Sequence, residues 1–199
     1  MNLNGPLIVG FGHRQRVGKD TLAGLLRTRL AEYGLNAYRD AFAWRLKDIA
    51  RKVFGYAGLG PIDLYEKSPE LRDTILPALG MTPRQVWITF GNSMRKMASD
   101  VWIRGVLDNV AYRAGSIVLV SDVRYPNEVD AIKERGGLLV KVTRSSIAES
   151  DDEADMALAG MPDSEWDFII RNDGGMAALG DLADELAKEI ACPRNGKGI

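Results

Sequence analysis

Residues 10–21 read GFGHRQRVGKDT, and this stretch decides how the rest of the chain is interpreted. The apolar run PLIVGF at residues 6–11 leads into it, and leucines at helical spacing follow it. A glycine-rich turn that joins a buried strand to a helix and ends in Gly-Lys is typical of a phosphate-binding loop. Its glycines let backbone N–H groups face phosphate oxygens, while the helix N-terminus and Lys19 supply positive charge. We therefore predict a phosphate loop at this position.

The loop departs from the usual spacing. Five residues separate Gly12 from Gly18 where the usual pattern has four, so His13 takes the position of the first glycine. Asp20 stands where Ser or Thr normally binds Mg²⁺, so Thr21, or a water held by Asp20, is expected to serve the metal.

Lys19 is expected to lie on a solvent-facing part of this loop and to contribute charge rather than packing. The alternative is a turn without any ligand, in which Lys19 is an ordinary surface charge. His13 is expected to contribute its backbone rather than a catalytic base. The loop residues predicted to bind the nucleotide are Gly12, His13, Arg14, Arg16, Val17, Gly18, Lys19, Asp20 and Thr21.

The distribution of charge favours a small phosphorylated ligand. Residues 1–144 carry 22 Lys and Arg against 14 acids, whereas residues 145–199 carry 4 against 13. A basic body suits a polyanion, but a chain with a net charge of −1 is a poor candidate for wrapping duplex nucleic acid by charge alone. The single cysteine, Cys192, excludes a disulfide framework, and no apolar run approaches the roughly 20 residues of a membrane span. We predict a cytoplasmic protein without a membrane segment.

The remaining periodicity predicts an α/β fold. Apolar runs predict strands at residues 36–42, 116–121, 138–143 and 167–170, and amphipathic patterns predict helices between most of them. Because parallel strands need crossover connections, five strands separated by helices favour a parallel sheet that is covered on both faces. Residues 55–81 hold many glycines and prolines and are expected to be irregular.

A carboxylate follows the apolar run IVLVS at residues 117–121. Asp122 therefore lies at the end of a buried strand, where a P-loop fold places a second acid linked to Mg²⁺. The alternative is that Asp122 caps the helix that begins near Pro126. Arg124 follows, and we expect it in the same crevice at the carboxyl edge of the sheet.

Arginines are abundant beside the predicted loops and helix starts. Catalysis of phosphoryl transfer rests on positioning and positive charge, and the planar guanidinium can hold phosphate through two hydrogen bonds. The arginines concerned are Arg14, Arg16, Arg39, Arg45, Arg84, Arg95, Arg124 and Arg144.

Several motifs stand out along the chain: GKDT at 18–21, DAFAWRLKD at 40–48, TPRQVW at 82–87 with GNSMR at 91–95, and SDVRYPNE at 121–128. Together they resemble the deoxynucleoside monophosphate kinases of bacteriophages, over about residues 8–173. GKDT alone is also similar to the animal-type phosphomevalonate kinases. The resemblance implies a three-layer P-loop kinase fold with a five-stranded parallel sheet, ATP as phosphate donor, and host cytoplasm as the location for a phage-encoded chain.

The resemblance also implies which residues surround the phosphates: Lys19, Asp20, Arg84, Arg95, Asp122 and Arg124. We predict Lys19, Asp20 and Arg124 as catalytic residues, and Asp20, Thr21 and Asp122 as ligands of Mg²⁺. Arg144, Asn172 and Asp173 are predicted on the donor side, the last two beside the adenine. The predicted acceptor-binding residues are Arg39, Phe42, Lys47, Arg84, Trp87, Arg95, Arg124 and Glu128.

Within one domain spanning residues 1–199, we expect a substrate-binding helical insertion at about 43–113 and a lid at about 144–166. The His-x-Ser-Glu that the family shows after the lid arginine is replaced here by an acidic run at residues 149–155, which is expected to be a solvated loop.

The leading hypothesis is transfer of the γ-phosphate of ATP to a deoxynucleoside 5′-monophosphate. One alternative is an ATP-dependent kinase of a hydroxyl on a modified base in DNA, or of another small phosphate ester. Another is a P-loop module that binds a nucleotide without catalysis. A homodimer is a reasonable expectation for a small enzyme.

Overall fold

The computed structural model describes residues 5–110, 115–148 and 153–192 of the chain. Its sheet has five strands in the order β2-β3-β1-β4-β5, and every neighbouring pair is parallel. This arrangement confirms the predicted α/β class with a five-stranded parallel sheet, and it is consistent with a P-loop kinase fold. The strands are β1 (Leu7–Gly12), β2 (Ala37–Asp40), β3 (Ile117–Val123), β4 (Leu138–Thr143) and β5 (Phe168–Arg171).

Helices connect and cover the strands. None of those in the described ranges is long and apolar enough to cross a bilayer. Short 3₁₀ turns cover Gly55–Ala57, Pro69–Asp73 and Asp163–Glu165. The α-helices are α1 (Lys19–Glu32), α2 (Phe42–Phe54), α3 (Ile62–Lys67), α4 (Pro83–Met97), α5 (Val101–Val110), α6 (Pro126–Glu134), α7 (Glu153–Met156) and α8 (Gly175–Ala191).

The chain divides into two compact units. The first unit is formed by Met1–Ala41 together with Asn109–Ile199, and it contains the sheet. The second unit is formed by Phe42–Asp108, and it contains α2, α3, α4 and most of α5. Binding of a substrate by the second unit stays a prediction.

The central strand β1 contributes to the cores on both faces of the sheet. Val9 and Phe11 belong to a buried apolar cluster that includes side chains of α1 and α8. Gly10 faces α6, and a Cβ at Gly10 would lie 2.6 Å from Cδ1 of Ile132. Only glycine allows α6 to approach the strand this closely. Because each fully buried Leu, Ile or Phe side chain contributes about 1.5–3 kcal/mol, these two cores fix the edge from which the phosphate loop leaves β1.

The second unit is built around α2 and α4. The predicted start of α4 is confirmed: Thr82 is its N-cap, and the Thr82 hydroxyl and the Gln85 side chain form a reciprocal capping box. The Phe90 ring meets Phe54 edge-on with 5.9 Å between ring centroids. Nε1 of Trp102, a buried residue, donates to the Gly91 carbonyl at 3.3 Å.

Two expectations about local structure need correction. The strand predicted at 36–42 ends at Asp40, and Phe42 already begins α2. Residues 55–81 are not irregular throughout, because they contain α3 and two 3₁₀ turns. Pro61 occupies the N-cap of α3 with extended backbone, and the buried Tyr65 accepts a hydrogen bond from Gly60 N–H at 2.9 Å. A six-residue helix held by one buried aromatic side chain leaves too little periodicity to be seen in the sequence.

Candidate phosphate-binding site

The loop between β1 and α1 contains three residues in the left-handed backbone conformation. Left-handed φ angles occur at His13 (87°), Arg16 (62°) and Gly18 (99°). His13 therefore adopts the conformation that glycine favours, at the position where the usual motif has its first glycine. Two non-glycine residues in this region store strain, which is commonly found at sites that bind ligands.

Lys19 is the first residue of α1, and only 6% of it is exposed. Its Nζ donates to the His13 carbonyl at 3.1 Å and also to the Arg14 carbonyl. The expectation that Lys19 faces solvent is therefore wrong: the amine folds back into the loop and contacts its backbone. The Lys19 side chain is therefore a buried cation whose contacts are carbonyl groups of the loop.

The electrostatic surroundings of Lys19 lower its pKa to about 8. The largest cause is burial, and the next is the positive charge of Arg124. Three carboxylates oppose this shift, those of Asp155, Asp20 and Asp122. Lys19 therefore remains mainly protonated at neutral pH, and the site brings two predicted phosphate-binding cations together with three acids.

Gly18 is packed tightly against Asn172, which follows β5. The buried Asn172 side chain donates to the Val17 carbonyl at 2.9 Å, and a Cβ at Gly18 would overlap its amide nitrogen. Asn172 thus holds the backbone of the loop at Val17. Its predicted place beside the adenine stays a prediction.

Gly18→Ala should lower the free energy of unfolding by about 1–2 kcal/mol, because alanine is strained in the left-handed conformation that Gly18 adopts. The loss should be larger still, because the new methyl group would overlap the Asn172 side chain. Gly24→Ala is the matched control, since Gly24 lies inside α1 and a Cβ there meets no atom within 4 Å. That change should stabilise the protein by up to about 1 kcal/mol. Urea unfolding of both variants checks the opposite signs, and equal effects would contradict this account of the loop.

Asp20 joins α1 to two strands. Its Oδ1 accepts from Ser121 Oγ at 2.6 Å and from Arg39 Nη2 at 3.0 Å. Ser121 is 1% exposed, whereas 75% of the Asp20 side chain is exposed. Ser121 was not among the predicted site residues, although a hydroxyl at the end of an otherwise apolar strand is a signal that could have been used. Thr21, the other predicted metal ligand on this helix, is exposed.

Asp122 belongs to β3, and Arg124 follows the strand. The N-cap of α6 is Tyr125, so Asp122 does not occupy that position. The predicted role of Asp122 at the metal stays a prediction. Glu128, which is buried, instead accepts from the backbone N–H groups of Arg124 at 2.7 Å and of Tyr125 at 3.1 Å. Glu128 therefore holds the segment that carries Arg124, and its predicted contact with the acceptor stays a prediction.

Asp155 reaches the phosphate loop from α7. Its side chain is 1% exposed, and its Oδ1 accepts from Gln15 N–H at 3.0 Å and lies 3.6 Å from Arg124 Nη1. Asp155 was expected in a solvated loop, and its burial corrects that expectation. Residues 149–152 of the same acidic run lie outside the described part of the chain.

Trp166 packs against the start of the loop, where a Cβ at Gly12 would overlap the indole ring. This contact was missed in the sequence, because nothing local links residues so far apart.

The pKa of His13 is lowered to about 4. The largest cause is burial, followed by the positive charges of Lys141, Arg14 and Lys19. The imidazole is therefore neutral at neutral pH.

Asp173 connects the loop after β5 with the start of the predicted lid. Its Oδ1 accepts from Ser145 N–H at 2.7 Å and from Ser145 Oγ at 2.9 Å. These hydrogen bonds are the main causes that lower the pKa of Asp173. Arg144, which precedes Ser145, is exposed.

A protein of Acanthamoeba polyphaga mimivirus named "Putative deoxynucleotide monophosphate kinase" is 28% identical to this chain over 158 residues, which is 73% of this chain and 78% of that protein. No protein-family model matches the chain. The similarity covers most of both chains, so it is not confined to the phosphate loop.

Predicted acceptor residues in the second unit take up defined local positions. Arg84 forms a bidentate ion pair with Asp73: Nε of Arg84 lies 2.7 Å from Oδ1 of Asp73, and Nη2 lies 3.2 Å from Oδ2. Trp87 is buried against the edge of Tyr65, and Lys47 Nζ lies 5.0 Å from the Trp87 ring centroid. Trp87 therefore packs inside the second unit, and its predicted contact with the acceptor stays a prediction.

The remaining two acceptor candidates are also in this unit. Phe42 is buried at the start of α2, and Arg95 is partly exposed in the last turn of α4. Convergence of Arg84, Arg95 and Arg124 on one phosphate stays a prediction.

Proposed function

We propose that this chain is a kinase that transfers the γ-phosphate of ATP to the 5′-phosphate of a deoxynucleoside monophosphate in the cytoplasm. The observation that carries the proposal is the phosphate loop, in which the buried Lys19 begins α1 and lies in the field of Arg124 and three carboxylates. The choice of acceptor is supported by the similarity to the mimivirus protein, whose printed name specifies a deoxynucleotide monophosphate kinase.

The donor phosphates would bind the backbone N–H groups of the loop and the N-terminus of α1. Lys19 already faces this space with a charged Nζ, and its two carbonyl contacts can be exchanged for phosphate oxygens. Arg144, Asn172 and Asp173 are proposed on the side of the nucleoside. The loop residues proposed for the donor are Gly12, His13, Arg14, Arg16, Val17, Gly18, Lys19, Asp20 and Thr21.

The residues present fit a magnesium ion that arrives with ATP. In the described ranges no three His, Cys, Asp or Glu side chains gather in a metal site of their own. Mg²⁺ does not require three such side chains, because proteins usually bind it through one or two carboxylates, with waters and substrate phosphates as the other ligands. Asp20 and Asp122 are oxygen donors that both act on Lys19, and we propose them with Thr21 as ligands. When bound, the ion would neutralise charge that develops on the phosphates.

The acceptor phosphate is proposed to bind Arg84, Arg95 and Arg124. The other residues proposed for the acceptor are Arg39, Phe42, Lys47, Trp87 and Glu128. Arg84 already holds a carboxylate through two parallel hydrogen bonds, which is the geometry that a phosphate also accepts. No general base is required, because the oxygen that attacks is already an anion. This fits a site whose histidine is neutral and contributes through its backbone.

Asp122→Asn should shift the magnesium dependence of the rate to higher concentration while changing ATP affinity less. The physical reason is that a carboxylate at the end of β3 acts through the shell of the metal, and the amide removes its charge. The change is expected to be about tenfold or more in the magnesium concentration that gives half-maximal rate, about 1.4 kcal/mol. Rates measured across a magnesium titration, with Asp130→Asn on the exposed side of α6 as the control, provide the check. An unchanged magnesium profile would remove Asp122 from the metal site.

The function is tested by incubating the protein with magnesium and ATP, together with each common deoxynucleoside or ribonucleoside monophosphate and, in a parallel reaction, with DNA that carries a hydroxylated base. Anion-exchange chromatography should show ADP and the matching diphosphate in equimolar amounts for at least one acceptor. Binding of ATP without any product would indicate a non-catalytic module. Transfer only to DNA that carries a hydroxylated base would indicate the alternative kinase, and either result would overturn the proposal.

A further inference from the structure

The side chain of Asp155 occupies a position suited to a phosphate oxygen. It is one of the few acids buried in the described chain, and it comes from α7, 140 residues beyond the loop that it contacts. Its Oδ1 accepts the backbone N–H of Gln15 and lies beside the guanidinium of Arg124. A carboxylate oxygen and a phosphate oxygen are both anionic hydrogen-bond acceptors, so they are recognised by the same donors.

Burial of a carboxylate is unfavourable unless cations and hydrogen-bond donors compensate for the lost water. The compensation at Asp155 is supplied by groups of the phosphate site: Gln15 N–H, Arg124 and the charge on Lys19. The buried carboxylate of Asp155 is therefore compensated by groups of this loop and by Arg124.

Entry of a polyphosphate changes this balance. If it binds the loop as proposed above, its oxygens take the same N–H group and the same cations, and two anions that share a desolvated site repel each other. The phosphate carries more charge than one carboxylate and has more acceptor atoms, so it is the stronger ligand. Asp155 must then leave the loop.

We propose that Asp155 is an internal competitor for the phosphate site, which holds the loop through Gln15 N–H and Arg124 and is displaced with α7 when a polyphosphate binds. The proposal rests on the phosphate-binding part of the proposed function. Its consequence is that apparent affinity for the ligand is reduced by the fraction of molecules in which Asp155 holds the loop. By the reciprocity of linkage, polyphosphate must in turn promote release of α7.

The first test measures binding of tripolyphosphate by calorimetry, in the absence of magnesium and of any acceptor. Asp155→Asn keeps the shape of the side chain and removes its charge, and it should bind tripolyphosphate at least about tenfold more tightly than the natural protein. Asp181→Asn makes the same change in net charge at an exposed position on α8, and it should change the affinity less than about twofold. Unchanged or weaker binding by Asp155→Asn would show that the carboxylate supports the loop, and the proposal would be abandoned.

A second test uses the natural protein and does not depend on how well a variant folds. A water-soluble carbodiimide with an amine nucleophile modifies accessible carboxyl groups, and peptide mass spectrometry quantifies the modification at Asp155. Modification should be slow in the ligand-free protein and should accelerate severalfold with saturating tripolyphosphate. Equal or slower modification in the presence of the ligand would overturn displacement.

The outcomes separate this inference from the proposed function. Tripolyphosphate that binds the natural protein without exposing Asp155 would contradict the competitor and leave the kinase proposal standing. Failure of tripolyphosphate to bind either the natural protein or Asp155→Asn would contradict both. Displacement of Asp155 in a protein that forms no diphosphate would support the competitor and contradict the kinase.

Discussion

Lys19→Ala should lower kcat/KM by roughly 10³-fold or more, because the change removes a desolvated positive charge from the space where charge develops during transfer. The effect should exceed that of any surface lysine, since Lys19 is buried and its Nζ already faces the loop. Steady-state rates with magnesium, ATP and the best acceptor provide the measurement.

Lys188→Ala serves as the control, because Lys188 is exposed on α8 and carries the same charge. It should leave kcat/KM within about twofold of the natural value, as expected for a screened surface charge. Circular dichroism and the unfolding midpoint should show that Lys19→Ala remains folded, although the loss of two contacts to loop carbonyls will change the loop itself. Near-normal turnover by a folded Lys19→Ala protein would mean that this loop does not bind the donor.

Arg124→Ala should chiefly lower kcat, by about one to two orders of magnitude, which corresponds to roughly 1.5–3 kcal/mol for a charge-assisted contact. The reason is its position: Arg124 lies two residues after Asp122 and acts electrostatically on Lys19, so of the three proposed acceptor arginines it lies nearest the proposed metal site and the transferred group. The kcat and both KM values should be measured with ATP and the monophosphate varied separately.

Arg84→Ala and Arg95→Ala provide the contrast. If these residues bind the acceptor, each should raise KM for the monophosphate with little change in KM for ATP. Arg27→Ala, an exposed arginine on α1, is the control for the change in charge. Equal losses toward ATP and the monophosphate in all three site variants would mean that they line the donor site or support the fold, and the acceptor assignment would have to be abandoned.

Much of the sheet could be predicted from the sequence, because strand periodicity and loop chemistry act locally. The strand at residues 138–143 was predicted with the bounds that β4 has, and the turn before Lys19 was recognised by its glycines. The capping box at Thr82 is likewise a local signal. In contrast, α3 was missed, because its six residues are held mainly by the burial of Tyr65.

The site itself was predictable only in outline. The sequence predicts Lys19 as a site residue, and that role stays a prediction; its burial was not predicted, because burial depends on how distant segments pack over the loop. Asp155 carried no signal within an acidic run, since its role comes from contacts with Gln15 and Arg124 far away in sequence. Asn172 was predicted beside the adenine of ATP. In the structure its side-chain amide donates a hydrogen bond to the Val17 carbonyl, a contact that the sequence did not indicate.

The proposed kinase activity requires that phosphate move from ATP to the 5′-phosphate of a deoxynucleoside monophosphate. The most direct measurement uses ATP labelled with ³²P at the γ position and locates the label after reaction. The label should appear in the β-phosphate of the deoxynucleoside diphosphate, and it should be absent from this product when the Lys19→Ala protein is used. Label found only in inorganic phosphate, only in DNA, or still in ATP after prolonged incubation with every monophosphate would contradict the proposed kinase activity.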